Sequence, residues 1–161
     1  MLYLYLEIPF ASWRKHDARE YAKSYDVPPP STIYGALLST IGEMDREKYG
    51  DARLTVAIKA KPKKSTILRK VWRFKKAEFD HPSNCRPDYY ECCSNTELVV
   101  GIEHSELERR IQDGLKRPEE ISRFGCVSLG ESRDIINDIR IVSKIPAGWF
   151  SYTEADQGNL R

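Results

Sequence analysis

Leu2, Leu4, Leu6 and Ile8 alternate with Tyr3, Tyr5 and Glu7, the period of a β-strand that lays one face on a core. Pro9 closes it. The stretch from Ser12 to Tyr25 carries Arg14, Lys15, His16, Arg19 and Lys23 but neither a strand nor a helix period, so it reads as a long loop; loops of this length in compact domains are commonly functional or disordered. Pro28, Pro29 and Pro30 impose an extended approach, and Ser31 stands where a helix N-cap belongs. Ile33, Leu37 and Ile41, widened by Tyr34 and Leu38, form the stripe of the helix that follows, with Gly42 near its end. Gly35 and Ala36 point to a close approach between this helix and the sheet.

Leu54, Val56 and Ile58 mark a second strand, and Ser65 to Lys76 is again extended and rich in β-branched and aromatic residues. Leu68, Trp72 and Phe74 share one face of that segment with Lys70; Ile67 and Val71 share the other with Arg69 and Arg73. Neither face is cleanly apolar, so the segment is expected to project as a hairpin over about residues 60–95, with Ala77 to Asn95 as its far loop and return. Glu97 to Glu103 is a short apolar strand. Ser105 to Arg117 is an amphipathic helix on Leu107, Ile111 and Leu115, with Ser105 and Glu108 spaced as a capping box and Pro118 at its end. Ser122 to Ser132 reads as a loop, Ile135 to Val142 as a last strand, and residues 146–161 as a tail in which Trp149, Phe150 and Tyr152 are free to dock. The order βαββαβ predicts an α+β, ferredoxin-like (RRM-like) core with an inserted basic hairpin. A chain of 161 residues accommodates it as one domain over 1–145.

Charge changes the picture where composition does not. The net charge is only +2, yet nine basic residues (Lys59, Lys61, Lys63, Lys64, Arg69, Lys70, Arg73, Lys75, Lys76) fall between Lys59 and Lys76 without one acid. The rest of the chain is acidic, a polarity suited to a directed electrostatic surface. No apolar run is long enough for a membrane span and the N-terminus lacks a basic leader. Cys85, Cys92, Cys93 and Cys126 form neither a CxxC pair nor a zinc-ligand set. A reducing cytoplasm, with no metal and no cofactor, is the expected setting.

Cations interleaved with Trp72 and Phe74 point to RNA: Lys and Arg neutralise phosphates while aromatic rings stack on unpaired bases. The bland alternative is an edge strand guarded by lysines against aggregation, or a basic strand that meets an acidic protein. The loop Ser122 to Ser132 can present backbone amides to phosphate, although no Walker or GxGxxG spacing is present. Metal-independent RNA cleavage needs a general acid or base. Of His16, His81 and His104 only His16, beside Lys15, has a basic neighbourhood, which leaves an endoribonuclease as the enzymatic alternative.

Pro9 to Arg14 (PFASWR), Ser24 to Leu38 (SYDVPPPSTIYGALL), Lys64 to Lys75 (KSTILRKVWRFK), Arg86-Pro87-Asp88-Tyr89, the loop Ser122 to Ser132 and Asn137-Asp138 together resemble the CRISPR-associated protein 5 family, and more narrowly its Myxan (DevS) variant from type I systems. The resemblance implies a noncatalytic RAMP subunit of Cascade that binds and caps the 5′ handle of crRNA beside the large subunit and the first backbone subunit, with target DNA near the PAM as a further contact. It implies that Arg14, Lys15, Ser31, Thr32 and Tyr34 line the handle pocket. Lys63, Lys64, Arg69, Lys70, Trp72 and Arg73 would form a thumb, and Gly125, Ser128, Gly130 and Ser132 would hold phosphates. Against the family pattern, only a short tail is expected in place of the second C-terminal domain of longer relatives, no catalytic set of the I-C branch is matched, and Gly125-Cys126-Val127 stands where relatives often carry two consecutive glycines.

Overall fold

The computed structural model describes residues 1–16, 21–72 and 78–152. Its elements are β1 (Leu2–Ala11), β2 (Tyr21–Ala22), α1 (Pro30–Thr40), β3 (Arg53–Ile58), β4 (Lys63–Trp72), β5 (Cys85–Glu103), α2 (Ser105–Lys116), β6 (Asp138–Val142) and β7 (Phe150–Tyr152). The fold is mixed α+β. One seven-stranded sheet runs β6-β1-β5-β3-β7, with β2 and β4 also paired to β5. All pairings are antiparallel except β2 with β5.

The expected alternation governs the core. Leu2, Leu4, Leu6 and Ile8 of β1, Val56 and Ile58 of β3, and Leu98, Val100 and Ile102 of β5 are buried in one cluster with Ile33, Leu37 and Ile41 from α1 and its end and with Leu107 and Ile111 of α2. Both helices therefore cover the same face of the sheet, each through a stripe repeating every three to four residues.

Several local expectations change. Helix α1 starts at Pro30, with Pro29 at the cap and no side-chain capping bond; proline suits a first helical turn because its missing amide would be unpaired there anyway. Ser31 is thus an exposed first-turn residue rather than the cap. Gly35 also faces open space, with nothing within 4 Å of where a Cβ would sit, so the close approach rests on buried Ala36 alone. Helix α2 is capped one residue earlier than its Ser105–Glu108 pair suggested. His104 Nδ1 accepts from the Leu107 amide at 3.2 Å, and Glu108 accepts from the His104 amide at 3.1 Å.

The largest difference lies in the hairpin. Its return and the following apolar strand are one continuous 19-residue strand, β5, which pairs first with β4 and then with β3. Asn95, at φ 52°, marks the change of partner, and its left-handed conformation is one that asparagine tolerates well. Cys93 then joins the helix-side core, while Cys92 and Tyr90 form a second cluster with Ala22, Phe10 and Ile67. The last strand starts at Asp138 rather than Ile135. Ile135 and Ile136 instead close the preceding loop by pairing with Ser128 and Val127. Phe150–Tyr152, expected in a tail, pairs with β3 as an edge strand.

Candidate nucleic-acid interface

The expected long loop after β1 is a paired excursion. The Lys15 amide donates to the Lys23 carbonyl and the Tyr25 amide to the Trp13 carbonyl, both at 2.8 Å, and Arg14 bridges to Ser24. Trp13 is buried and donates from Nε1 to the Leu129 carbonyl at 2.8 Å. This bond joins the excursion to the glycine loop. Arg14 is exposed, and Lys15 lies over the Tyr25 ring at 5.3 Å.

Asp134 fixes the rest of that loop. Its side chain is fully buried, and Oδ2 accepts from the Ser12 amide at 3.1 Å and the Glu131 amide at 3.0 Å. Among the described residues Oδ1 has no hydrogen-bond partner, and the Arg133 guanidinium lies 3.9 Å away. Burial pushes this carboxyl above the ordinary aspartate range, opposed by the two amides. Gly130 is required beside it: at φ 128° a Cβ would sit 2.8 Å from Asp134 Oδ2. The loop residues Gly125, Gly130 and Ser132 are exposed, and Ser128 is half-buried.

The loop meets the hairpin at Tyr90. The guanidiniums of Arg133 and Arg69 lie over its ring at 4.3 Å and 5.0 Å, geometry in which an aromatic face attracts cations. Arg69 is held by Asp88, its cross-strand partner, at 2.7–2.8 Å, which raises its pKa. Arg133 pairs with Glu131 at 2.6 Å.

Paired strands divide the sequence-predicted thumb residues between two faces. Lys63, Ser65, Ile67 and Arg69 share theirs with Cys92, Tyr90 and Asp88, whereas Lys64, Leu68, Lys70 and Trp72 share theirs with Cys93, Glu91, Tyr89 and Pro87, by register and alternation. Leu68, Tyr89, Trp72 and Phe79 are exposed, and the Trp72 and Phe79 rings stack 5.5 Å apart. Arg73, Phe74, Lys75, Lys76 and Arg19 lie outside the described residues.

The nine-cation run is less bare than it reads. Lys64 lies 2.6 Å from Asp26 and 3.6 Å from Glu91, Lys61 reaches Asp26 at 3.8 Å, and Lys59 reaches Glu97 at 2.6 Å. The Lys64 hydrogen bond holds the Asp26 carboxyl below its usual range. Only Lys63 and Lys70 of the run carry no ion pair among the described residues. At the start of α1, Thr32 is half-buried and Tyr34 turns inward, its hydroxyl accepting from the Tyr49 amide at 3.2 Å.

Two of the three histidines have structural roles. His81 Nδ1 accepts from the Ser83 amide at 3.1 Å and His104 caps α2; His16 is exposed. No group of three His, Cys, Asp or Glu among the described residues can hold a metal ion. No described helix is long and apolar enough to cross a membrane.

The family model for "CRISPR-associated protein (Cas_Cas5)" matches residues 1–129. The chain belongs to the CRISPR-associated protein 5 family. A family relative from Myxococcus xanthus (strain DK1622), "CRISPR-associated protein Cas5", is 38% identical over 171 residues, covering 99% of this chain and 80% of the relative, in keeping with the Myxan resemblance of the motifs. Among solved structures, a chain of a "CRISPR RNA-guided surveillance complex" superposes with TM-score 0.66 at 14% identity, over 85% of this chain and 60% of that one. A second, "Crystal structure of Cas protein", gives TM-score 0.54 at 19% identity, over 84% and 58%. The fold is thus shared with both, and this chain spans about three fifths of their length.

Sequence reasoning missed Trp13, Tyr90, Arg133 and Asp134, although Trp13 lies within the quoted PFASWR motif. Asp88 and Glu91, which neutralise part of the basic run, stand on the opposite strand, where a linear charge count does not register them.

Proposed function

We propose that this family member is a noncatalytic RNA-binding subunit of a type I Cascade surveillance complex, which holds and caps the 5′ handle of crRNA. One observation carries the reading: the basic hairpin and the glycine loop, the two elements suited to grip phosphate, meet around Tyr90. The four-strand order β6-β1-β5-β3 with both helices on one face supports a ferredoxin-like plan. In it the β4–β5 hairpin serves as the thumb.

Among the described residues of the run, Lys63 and Lys70 supply the charges that no acid neutralises, and Arg69 with Arg133 presents guanidinium edges beside the glycine loop. Gly125, Ser128, Gly130 and Ser132 offer backbone amides and hydroxyls to phosphate, while Arg14, Lys15, Ser31 and Thr32 extend the cationic and polar rim. Tyr34 shapes that rim from within. Lys64, Trp72 and Arg73 complete the thumb. The large subunit and first backbone subunit flank the handle, with target DNA near the PAM beyond them, in a cytoplasmic assembly.

Exchange of Lys63 and Lys70 for glutamate tests this. Fluorescence anisotropy across a salt series should show wild-type protein binding a handle oligonucleotide more tightly than a scrambled one. The double variant should lose about 1.4 from the slope of log K against log salt, roughly 0.7 per phosphate contact on a single strand. Stability should change by less than about 1 kcal/mol, because exposed charges contribute little to folding. Equal binding of handle and scrambled RNA by wild type, or an unchanged slope in the variant, contradicts the assignment.

A further inference from the structure

We infer that Phe124, at the tip of the glycine loop, is the stacking platform for one unpaired nucleobase of the bound RNA; the inference rests on the handle-binding reading above. Phe124 is 98% exposed, more than any other large hydrophobic residue described. Its neighbours Ser122, Arg123, Gly125 and Cys126 are exposed as well, so a five-residue tongue stands clear of the fold.

Both ends of the tongue are anchored. On one side Ile121 lies against Gly114 and Gly42, whose Cβ positions would meet its side chain at 3.4 Å and 3.2 Å. On the other, Val127 packs on the core and its carbonyl accepts from the Ile136 amide at 3.1 Å. The aromatic ring is therefore held in solvent by a braced loop. Gly125, at φ 70° with nothing within 4 Å of its Cβ position, makes the turn just behind the ring and leaves the backbone open to close approach.

The chemistry around the ring selects the occupant. No carboxylate occurs from Ile121 to Gly130, and Arg123 precedes the ring directly. Glu120 and Glu131, which flank this stretch, are engaged by Arg117 at 2.9 Å and Arg133 at 2.6 Å. An exposed ring with a neighbouring cation and an approachable backbone suits a nucleotide, whose base stacks while its phosphate meets the guanidinium or the amides.

A cycle of protein and RNA changes tests the assignment. Handle RNAs carrying a single abasic site at each position in turn are titrated against wild type, Phe124→Ala and Phe124→Trp. One abasic position should weaken wild type by roughly 5- to 150-fold, the range of base–aromatic stacking. That abasic site should have no further effect on Phe124→Ala, and Phe124→Trp should behave as wild type. If wild type prefers handle over scrambled RNA but every abasic site affects wild type and Phe124→Ala equally, this inference falls and the handle reading stands. If wild type shows no such preference, the handle reading falls and takes this one with it. Unchanged RNA coupling together with failure of Phe124→Ala to enter the assembled complex would instead place the ring on a protein partner and overturn the inference.

Discussion

Replacing Asp134 by alanine should destabilise the protein by about 2–5 kcal/mol and abolish preferential handle binding. The amides of Ser12 and Glu131 both depend on Oδ2, the first in a buried bond and the second in a partly buried one; a buried donor left without an acceptor costs about 1–3 kcal/mol, and the broken buried network adds to it. The variant also frees the loop that carries Gly130 and Ser132. Asp134→Asn retains an acceptor and removes a buried charge, so its stability should stay close to wild type near neutral pH. The pH dependence separates the two effects. Burial raises the folded-state pKa of this carboxyl above its ordinary 3.8, so its contribution becomes more favourable as pH falls through the folded value and levels off below 3.8. Urea melts across that window should show this contribution in wild type and its loss in Asp134→Asn. An alanine variant as stable as wild type would remove Asp134 from its anchoring role.

Tyr90→Ala is the second change with a large expected effect. The ring is buried against Ala22, Cys92, Phe10 and Ile67, and truncating a buried aromatic to alanine costs about 3–5 kcal/mol. It also releases Arg69 and Arg133 from their shared ring, so the hairpin and the loop lose their common contact. RNA affinity should fall even at temperatures where the variant remains folded. Tyr90→Phe keeps the aromatic face and should retain both stability and binding, because no hydrogen bond of the Tyr90 hydroxyl contributes to the contacts described. Equal RNA affinity in folded Tyr90→Ala and wild type would show that the two elements act independently.

The elements that were legible in the sequence are those whose burial follows a simple period. Leu2 to Ile8 alternates along its whole length, and Ile33, Leu37 and Ile41 repeat on one helical face, so β1 and α1 followed directly. Strand β2 is only two residues long, too short for any period to register. The N-terminal half of β5 includes Pro87 and exposed Tyr89, which obscured its continuity with the apolar Leu98 to Ile102. A solvent-facing hairpin carries less of the alternation that marks a half-buried strand.

The candidate site divided along the same lines. Cations and glycines mark the hairpin and the loop in the sequence itself, but the contacts that assemble them span large separations. Ser12 and Asp134 are 122 residues apart, and Arg69 meets Asp88 only because β4 and β5 pair in that register. Among the described residues of the run, Lys59, Lys61, Lys64 and Arg69 are paired with acids. Its unneutralised charges among the described residues stand at Lys63 and Lys70, and the guanidiniums of Arg69 and Arg133 converge on Tyr90.

Photocrosslinking with a handle RNA substituted by 4-thiouridine, followed by mass spectrometric mapping of the adducts, tests the central claim most directly. Adducts are expected in two stretches, 63–72 with 85–94 from the hairpin and 122–134 from the glycine loop, and should be outcompeted by unlabelled handle RNA. Adducts confined to α2 or to Tyr3 and Tyr5 on the opposite face of β1 would contradict the account.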